Sequence, residues 1–215
     1  METLARHYKV KHFYILVITG DYLNLIFQNL AWFYIMRNFK EKLEFGKTGE
    51  NEIAHWLMDR GNHVLPVYEI SENQFKGPAF YTYQGEEIIT PDMVTWSKNG
   101  ILFIEAKHKE AFSWHRKTEK WVTGIDLKHY SNYQLLQART KTPVWIIFLH
   151  RGGIAKDSPI SPSGMFGNDL IFLIENENHR HENWAKGMVY WAIDSLIKLA
   201  DYPLPKVNFS SDIWK

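Results

Sequence analysis

The chain reads as an α/β domain preceded by an extra apolar helix. Two short apolar runs, Met93–Trp96 and Ile101–Ile104, flank Ser97-Lys98-Asn99-Gly100 and read as a hairpin, since Asn-Gly is a strong turn signal. Helical periodicity over residues 46–60 and again from Asp126 to Thr140 places a helix before and after that hairpin. Pro143 opens Val144–Leu149, a continuous apolar run of the kind that forms a buried central strand. With 215 residues and 45% hydrophobic content, one domain with a substantial core is expected.

The elements follow in chain order. Phe13 to Met36 is almost uncharged and long enough to span a bilayer, with Lys11 and Arg37–Lys40 at its ends. Asp21, Asn24, Gln28 and Asn29 interrupt it along one helical stripe, which favours an amphipathic helix docked on the domain or on a second copy. A membrane-surface or spanning anchor is the less favoured reading, and Met36 as the true start of a compact domain is a third. No charged-then-apolar leader ends in a small-residue cleavage site, so a secretory signal is not expected. The division is thus residues 1–43 as an N-terminal helical segment and 44–215 as the main domain, with a core over about 44–150 and an extension over 151–215.

Gly46-Lys47-Thr48-Gly49-Glu50 opens the first core helix, which stops at Arg60-Gly61. Ile53, Ala54 and Leu57 put Glu50 on their apolar face, where a carboxylate needs a partner, whereas Glu52 and Asp59 read as solvated. In the hairpin, Pro91-Asp92 precedes one strand and Glu105-Ala106-Lys107 ends the other. An antiparallel pairing makes Asp92 and Glu105 neighbours, and alternation puts Lys107 on the face of Glu105. Two carboxylates so close raise each other's pKa unless a cation lies between them, and hard oxygen donors favour Mg²⁺ or Mn²⁺.

Beyond the hairpin, Ala111–Lys117 and Lys120-Trp121 interleave aromatics with cations. They read either as a surface that stacks on bases while cations meet phosphates, or as a hairpin whose Trp114 and Trp121 pack across a turn near Thr118-Glu119. From Lys107 to Lys141 the chain is locally basic and elsewhere net acidic, which suits attraction to a phosphate backbone. Lys109, Trp114, Arg116 and Lys117 are the candidate contacts. Arg151 to Asn168 reads as a loop or excursion, Leu170–Ile174 as one more strand, and Met188–Ile193 as a strand. Asp194 reads as the N-cap of a short helix over Ser195–Ala200, and the His-x-His of residues 179–181 as solvated.

Pro91, Asp92, Glu105 and Lys107, with Glu50 on the preceding helix, resemble the PD-(D/E)xK nuclease superfamily. That superfamily includes restriction endonucleases, archaeal Holliday-junction resolvases and RecB-like exonuclease domains. The resemblance spans roughly residues 44 to 150. It implies a restriction-endonuclease-like core, α-β-β-β-α-β, with a mixed central sheet flanked by helices. It also implies a Mg²⁺ (or Mn²⁺) ion held by Asp92, Glu105 and the Ala106 carbonyl, with Glu50 as a further ligand. Lys107 would orient or deprotonate the attacking water, and products would carry 5′-phosphate and 3′-hydroxyl ends. RecB-like members carry Gln-x-x-x-Tyr on the helix facing the site. This chain has His129-x-x-x-Tyr133, then Gln134 and Gln137, and Tyr133 and Gln134 are the preferred DNA-facing pair.

The resulting expectation is a metal-dependent DNA nuclease, with DNA as partner and a second copy of the chain for double-strand cutting. Zero cysteines excludes a disulfide framework and suits a cytoplasmic location. Two other readings stay open. One is a catalytically silent nuclease-fold DNA-binding subunit of a larger complex, distinguished by metal-independent binding without turnover. The other is a membrane-associated or oligomeric assembly protein, distinguished by partitioning with lipid.

Overall fold

The computed structural model describes residues 41, 43–67, 78–154, 158–182 and 187–205. The expected N-terminal helix over 13–36 lies outside them, as do Trp184 and Trp214. The described residues from Gly46 onward form one compact unit. Among the described residues no helix is long and apolar enough to cross a membrane.

Helix α1 (residues 43–59) ends as its sequence dictates. Gly61 takes φ 79°, its N–H donates to the Met58 carbonyl at 2.9 Å, and the Asn62 N–H reaches the Leu57 carbonyl at 3.2 Å. That pair of bonds satisfies carbonyls the last turn would leave orphaned.

Strands β1 (His63–Pro66), β2 (Ala79–Tyr81), β3 (Glu87–Ile89), β4 (Met93–Ser97) and β5 (Gly100–Lys109) follow, then the hairpin β6 (Ser113–His115) and β7 (Lys120–Asp126). Helix α2 (Leu127–Thr140) leads to β8 (Val144–His150), β9 (Gly164–Asp169) and the short helix α3 (Leu170–Glu175). Strands β10 (His179–His181), β11 (Met188–Ala192) and β12 (Ile197–Ala200) complete the described chain.

The central sheet is mixed, in the order β1-β4-β5-β8-β9-β12. β5 and β8 are parallel, and the other neighbours are antiparallel. A second, four-stranded sheet runs β10-β11-β7-β6, and β2 pairs with β3. Alternation along β5 and β8 feeds two apolar layers. Phe103, Ile146 and Phe148 meet Tyr130, Tyr133 and Leu136 of α2, with Trp191 of β11. Ile104, Ala106, Ile147 and Leu149 meet Ile53, Ala54 and Leu57 of α1.

Three expectations for the last third are corrected. Part of the presumed loop is β9. Gly164 and Gly167 weaken a strand signal, yet a Cβ there would come within 2.8 Å of the Ala200 carbonyl oxygen and 2.7 Å of the Ile146 carbonyl oxygen. Residues 170–174 are helical because the Asp169 carboxylate caps the turn, accepting from the Phe172 N–H at 3.0 Å. Residues 197–200 form β12 on β9, while Asp194 sits in a 3-10 turn and pairs with Lys120 at 2.5 Å. The His-x-His run is strand β10, with Arg180 and His181 exposed and the His179 ring stacked between Tyr190 and His115.

Candidate active site

The hairpin sets the site. β4 and β5 turn through Lys98 and Asn99, so the tight position falls at Gly100 (φ 116°) and not between Asn99 and Gly100. Ser97 pairs with Gly100 and Met93 with Ile104, which leaves Asp92 beside the start of Glu105-Ala106-Lys107. Asp92 Oδ2 accepts the Ala106 N–H at 2.8 Å, a bond that clasps the open end of the hairpin.

Glu105 is 1% exposed. Its Oε1 forms an ion pair with the Lys107 ammonium, and its Oε2 accepts from the Tyr133 hydroxyl at 2.5 Å. His129 Nδ1 lies 3.9 Å from Oε1 and 3.6 Å from Asp126 Oδ2, buried and without a hydrogen-bond partner. Asp126 is fixed as the N-cap of α2, its other oxygen accepting the His129 N–H at 2.9 Å. Behind the sheet, Gly49 lets α1 press on β5, since a Cβ there would lie 2.3 Å from His108 Cβ. Glu50 is the next residue.

The electrostatics follow from crowding. Burial, then repulsion from Glu105, push the Asp92 carboxyl up to about 7, against the pull of Lys107 and the Ala106 N–H. Burial, then Asp92, push Glu50 up to about 7, with Lys107 and Lys47 opposing. Burial alone would lower the Lys107 ammonium, but Glu105 and Asp92 outweigh it and hold it above the usual lysine range. Burial and the neighbouring carboxylates keep the Tyr133 phenol well above its ordinary value, so it stays a donor. His129 is pushed down, chiefly by burial.

Among the described residues no three His, Asp or Glu side chains converge tightly enough to cage a metal by themselves. Mg²⁺ and Mn²⁺ rarely need such a cage, being held by one or two carboxylates with carbonyls and water. The donor set here suits them: Asp92 and Glu105 lie side by side with Glu50 in their field, and burial, then repulsion between carboxylates, pushes Asp92 and Glu50 up.

The structure brings Asp92, Glu105 and Lys107 together and puts Glu50 within their field. Lys109 shares their face of β5, is half-buried, and is pushed down by burial and then Lys107. Trp114 packs edge-on against Trp121 at 5.0 Å, as the hairpin alternative anticipated, while Arg116 and Lys117 are exposed at the turn.

One member of the preferred DNA-facing pair, Tyr133, needs correction. Tyr133 is 1% exposed and bound to Glu105, so it belongs to the carboxylate cluster. Gln134, one position round the helix, lines a separate groove with Gln137, Lys141, Ile171 and Ile174. Glu52 is half-buried and pushed up by burial, with Arg151 opposing, and is not simply solvated. Two neighbours of Glu105 went unassigned from sequence, His129 as a site residue and Tyr133 as its hydrogen-bond donor. The available signal was their i, i+4 spacing behind a capping aspartate.

No protein-family model and no curated protein matches the chain. Among solved structures the fold is similar to Hjc, a Holliday junction resolvase from the archaeal hyperthermophile Archaeoglobus fulgidus. The identity is 8%, the alignment covers 70% of this chain and 90% of that one, and the TM-score is 0.41. At so low a TM-score the likeness decides nothing about this chain.

Proposed function

We propose that this chain is a Mg²⁺- or Mn²⁺-dependent deoxyribonuclease of the PD-(D/E)xK type. The observation that carries the reading is the cluster itself: Asp92 clasped to the Ala106 N–H, with Glu105 beside it and ion-paired to Lys107. The order α1-β1-β4-β5-α2-β8 supports it, being that of the superfamily once the β2–β3 and β6–β7 hairpins are set aside as insertions.

Asp92, Glu105 and the Ala106 carbonyl would hold the cation, with Glu50 as a direct or water-bridged ligand. When bound, the ion lowers the pKa of a water and offsets charge building on the phosphate. The chain's own groups do the rest. Lys107, held as ammonium by its carboxylates, donates to the attacking water or a phosphate oxygen and stabilises the developing negative charge. Acting instead as a base on that water, Lys107 would need its pKa lowered, which a cation that neutralises the same carboxylates would favour. Arg116 and Lys117, exposed on the β6–β7 turn, and Lys109 beside the cluster supply phosphate contacts. Products carry 5′-phosphate and 3′-hydroxyl ends, DNA is the partner, and a second copy serves double-strand cutting in the cytoplasm.

A second reading, the silent DNA-binding subunit, draws on one feature: the Lys107 ammonium already occupies the Glu105 oxygen that a cation would use. One experiment decides between them. Supercoiled plasmid, linear duplex and single-stranded DNA are incubated with Mg²⁺, Mn²⁺ or EDTA, beside Lys107→Ala. Metal-dependent cutting that the variant loses supports the nuclease. DNA binding without cutting on any substrate supports the silent subunit.

A further inference from the structure

The two oxygens of Glu105 are divided between different elements. Oε1 faces Lys107 of its own strand and His129 of α2, while Oε2 accepts from Tyr133 of α2. The terminal torsion of a glutamate is broad and nearly two-fold, so a lone carboxylate would not keep its oxygens apart in this way. The Tyr133 ring cannot swing to follow it, because it is packed with Phe103, Tyr130 and Leu136 in the layer under α2. The phenol is therefore a fixed donor and the carboxylate is the movable partner.

We propose that Tyr133 is a positioning residue: its hydroxyl pins Glu105 so that Oε1 is presented to the cation that Asp92 and Glu105 share. This rests on the nuclease reading above. Partners that orient ligating side chains commonly change metal affinity by about 10–100-fold when removed. A tyrosine that merely satisfied a buried oxygen would cost stability and leave metal affinity alone.

The test is calorimetric titration of the full-length chain with Mn²⁺, without DNA, comparing wild type, Tyr133→Phe and Tyr133→4-aminophenylalanine. The first variant keeps the ring and loses the donor, and the second keeps the ring with an N–H donor in place of the hydroxyl. Tyr133→Phe is expected to bind Mn²⁺ about 10–100-fold more weakly, and the amino variant to recover most of that loss. In cleavage, kcat should fall in Tyr133→Phe while KM for DNA holds. Mn²⁺ affinity in Tyr133→Phe within about twofold of wild type, or equal weakening in both variants, overturns the proposal.

Should Tyr133→Phe prove unfolded by circular dichroism, the amino variant decides alone. An affinity within about tenfold of wild type supports the donor role, and a greater loss overturns it. Wild type that binds Mn²⁺ through Asp92, with binding lost in Asp92→Ala, but cuts nothing would overturn the nuclease reading and leave the Tyr133 result standing. Wild type that binds no Mn²⁺ overturns both.

Discussion

Asp92→Asn should stabilise the fold while destroying the activity, and the gain should depend on pH. The asparagine oxygen can still accept the Ala106 N–H that Asp92 Oδ2 holds at 2.8 Å, so the clasp survives. What disappears is a carboxylate whose pKa rises on folding from 3.8 to about 7. In the sign of the linkage, the native state keeps a proton there that the unfolded chain has already released. Stability therefore falls as pH rises from about 4 to about 7, and the penalty is constant above that. Roughly three pH units correspond to about 4 kcal/mol, and partial exposure trims this to about 2–4 kcal/mol. For a domain of this size each kcal/mol moves Tm by about 2–4 °C, so a rise of about 4–16 °C is expected at pH 8. Differential scanning calorimetry in EDTA at pH 4, 6 and 8 measures it. Glu50, also pushed up to about 7, leaves a residual slope in the variant. Mn²⁺ should raise the Tm of wild type and not of the variant. No gain at pH 8, or the same gain at pH 4 as at pH 8, would refute the reasoning.

Gly49→Ala puts a Cβ 2.3 Å from His108 Cβ, which is no flexible chain end, and should cost about 2–3 kcal/mol in urea unfolding while slowing cutting through displaced Glu50. A cost under about 0.5 kcal/mol would mean α1 does not bear on β5 as described. His150 is fully buried among Phe112, Phe148 and Phe166, and burial pushes it down to about 3. The unfolded chain binds its proton first, so wild type loses stability as pH falls from about 6.5 towards 3, by about 3 kcal/mol at pH 4.5. His150→Phe should shift the acid unfolding midpoint downward, and an unchanged midpoint contradicts the assignment. The double variant Arg116→Ser/Lys117→Ser should weaken DNA binding and reduce the slope of log K against log salt by about two, measured by fluorescence anisotropy with Ca²⁺ in place of Mg²⁺. An unchanged slope removes the β6–β7 turn from the DNA interface.

What could be read from the sequence was what local chemistry decides. Arg60-Gly61 marks a helix stop in any context, and Asp126 ahead of an amphipathic run marks a start. The hairpin, and with it the pairing of Asp92 and Glu105, rests on turn residues between two apolar runs. The parts that escaped depend on packing at a distance. Gly164 and Gly167 look like loop until neighbouring carbonyls are seen at the places their side chains would fill. Leu170–Ile174 is apolar at every position and too short for a period to show, so only the Asp169 cap tells helix from strand. Tyr133 carries equal signals for a surface aromatic and a core one. It is the rotation of α2 over β5 that turns it to Glu105 and leaves Gln134 on the groove beside α3.

That rotation matters because β5 serves two purposes at once. Its odd-numbered residues Phe103 and Glu105 face α2, and its even-numbered residues Ile104 and Ala106 face α1. Chemistry and core therefore alternate along a single strand. Moving the β4–β5 register by one residue would bury Lys107 against α1 and turn Ala106 towards Tyr133, losing both the site and the packing. Two features hold the register: the Ser97–Gly100 turn at one end and the bond from the Ala106 N–H to Asp92 at the other. Asp92 thus does structural work as an acceptor as well as contributing charge. A side chain that only accepts can be replaced by asparagine without loss, whereas the activity needs the charge. The site's dependence on charge and the fold's dependence on shape therefore meet at this residue, and substitution there can separate them.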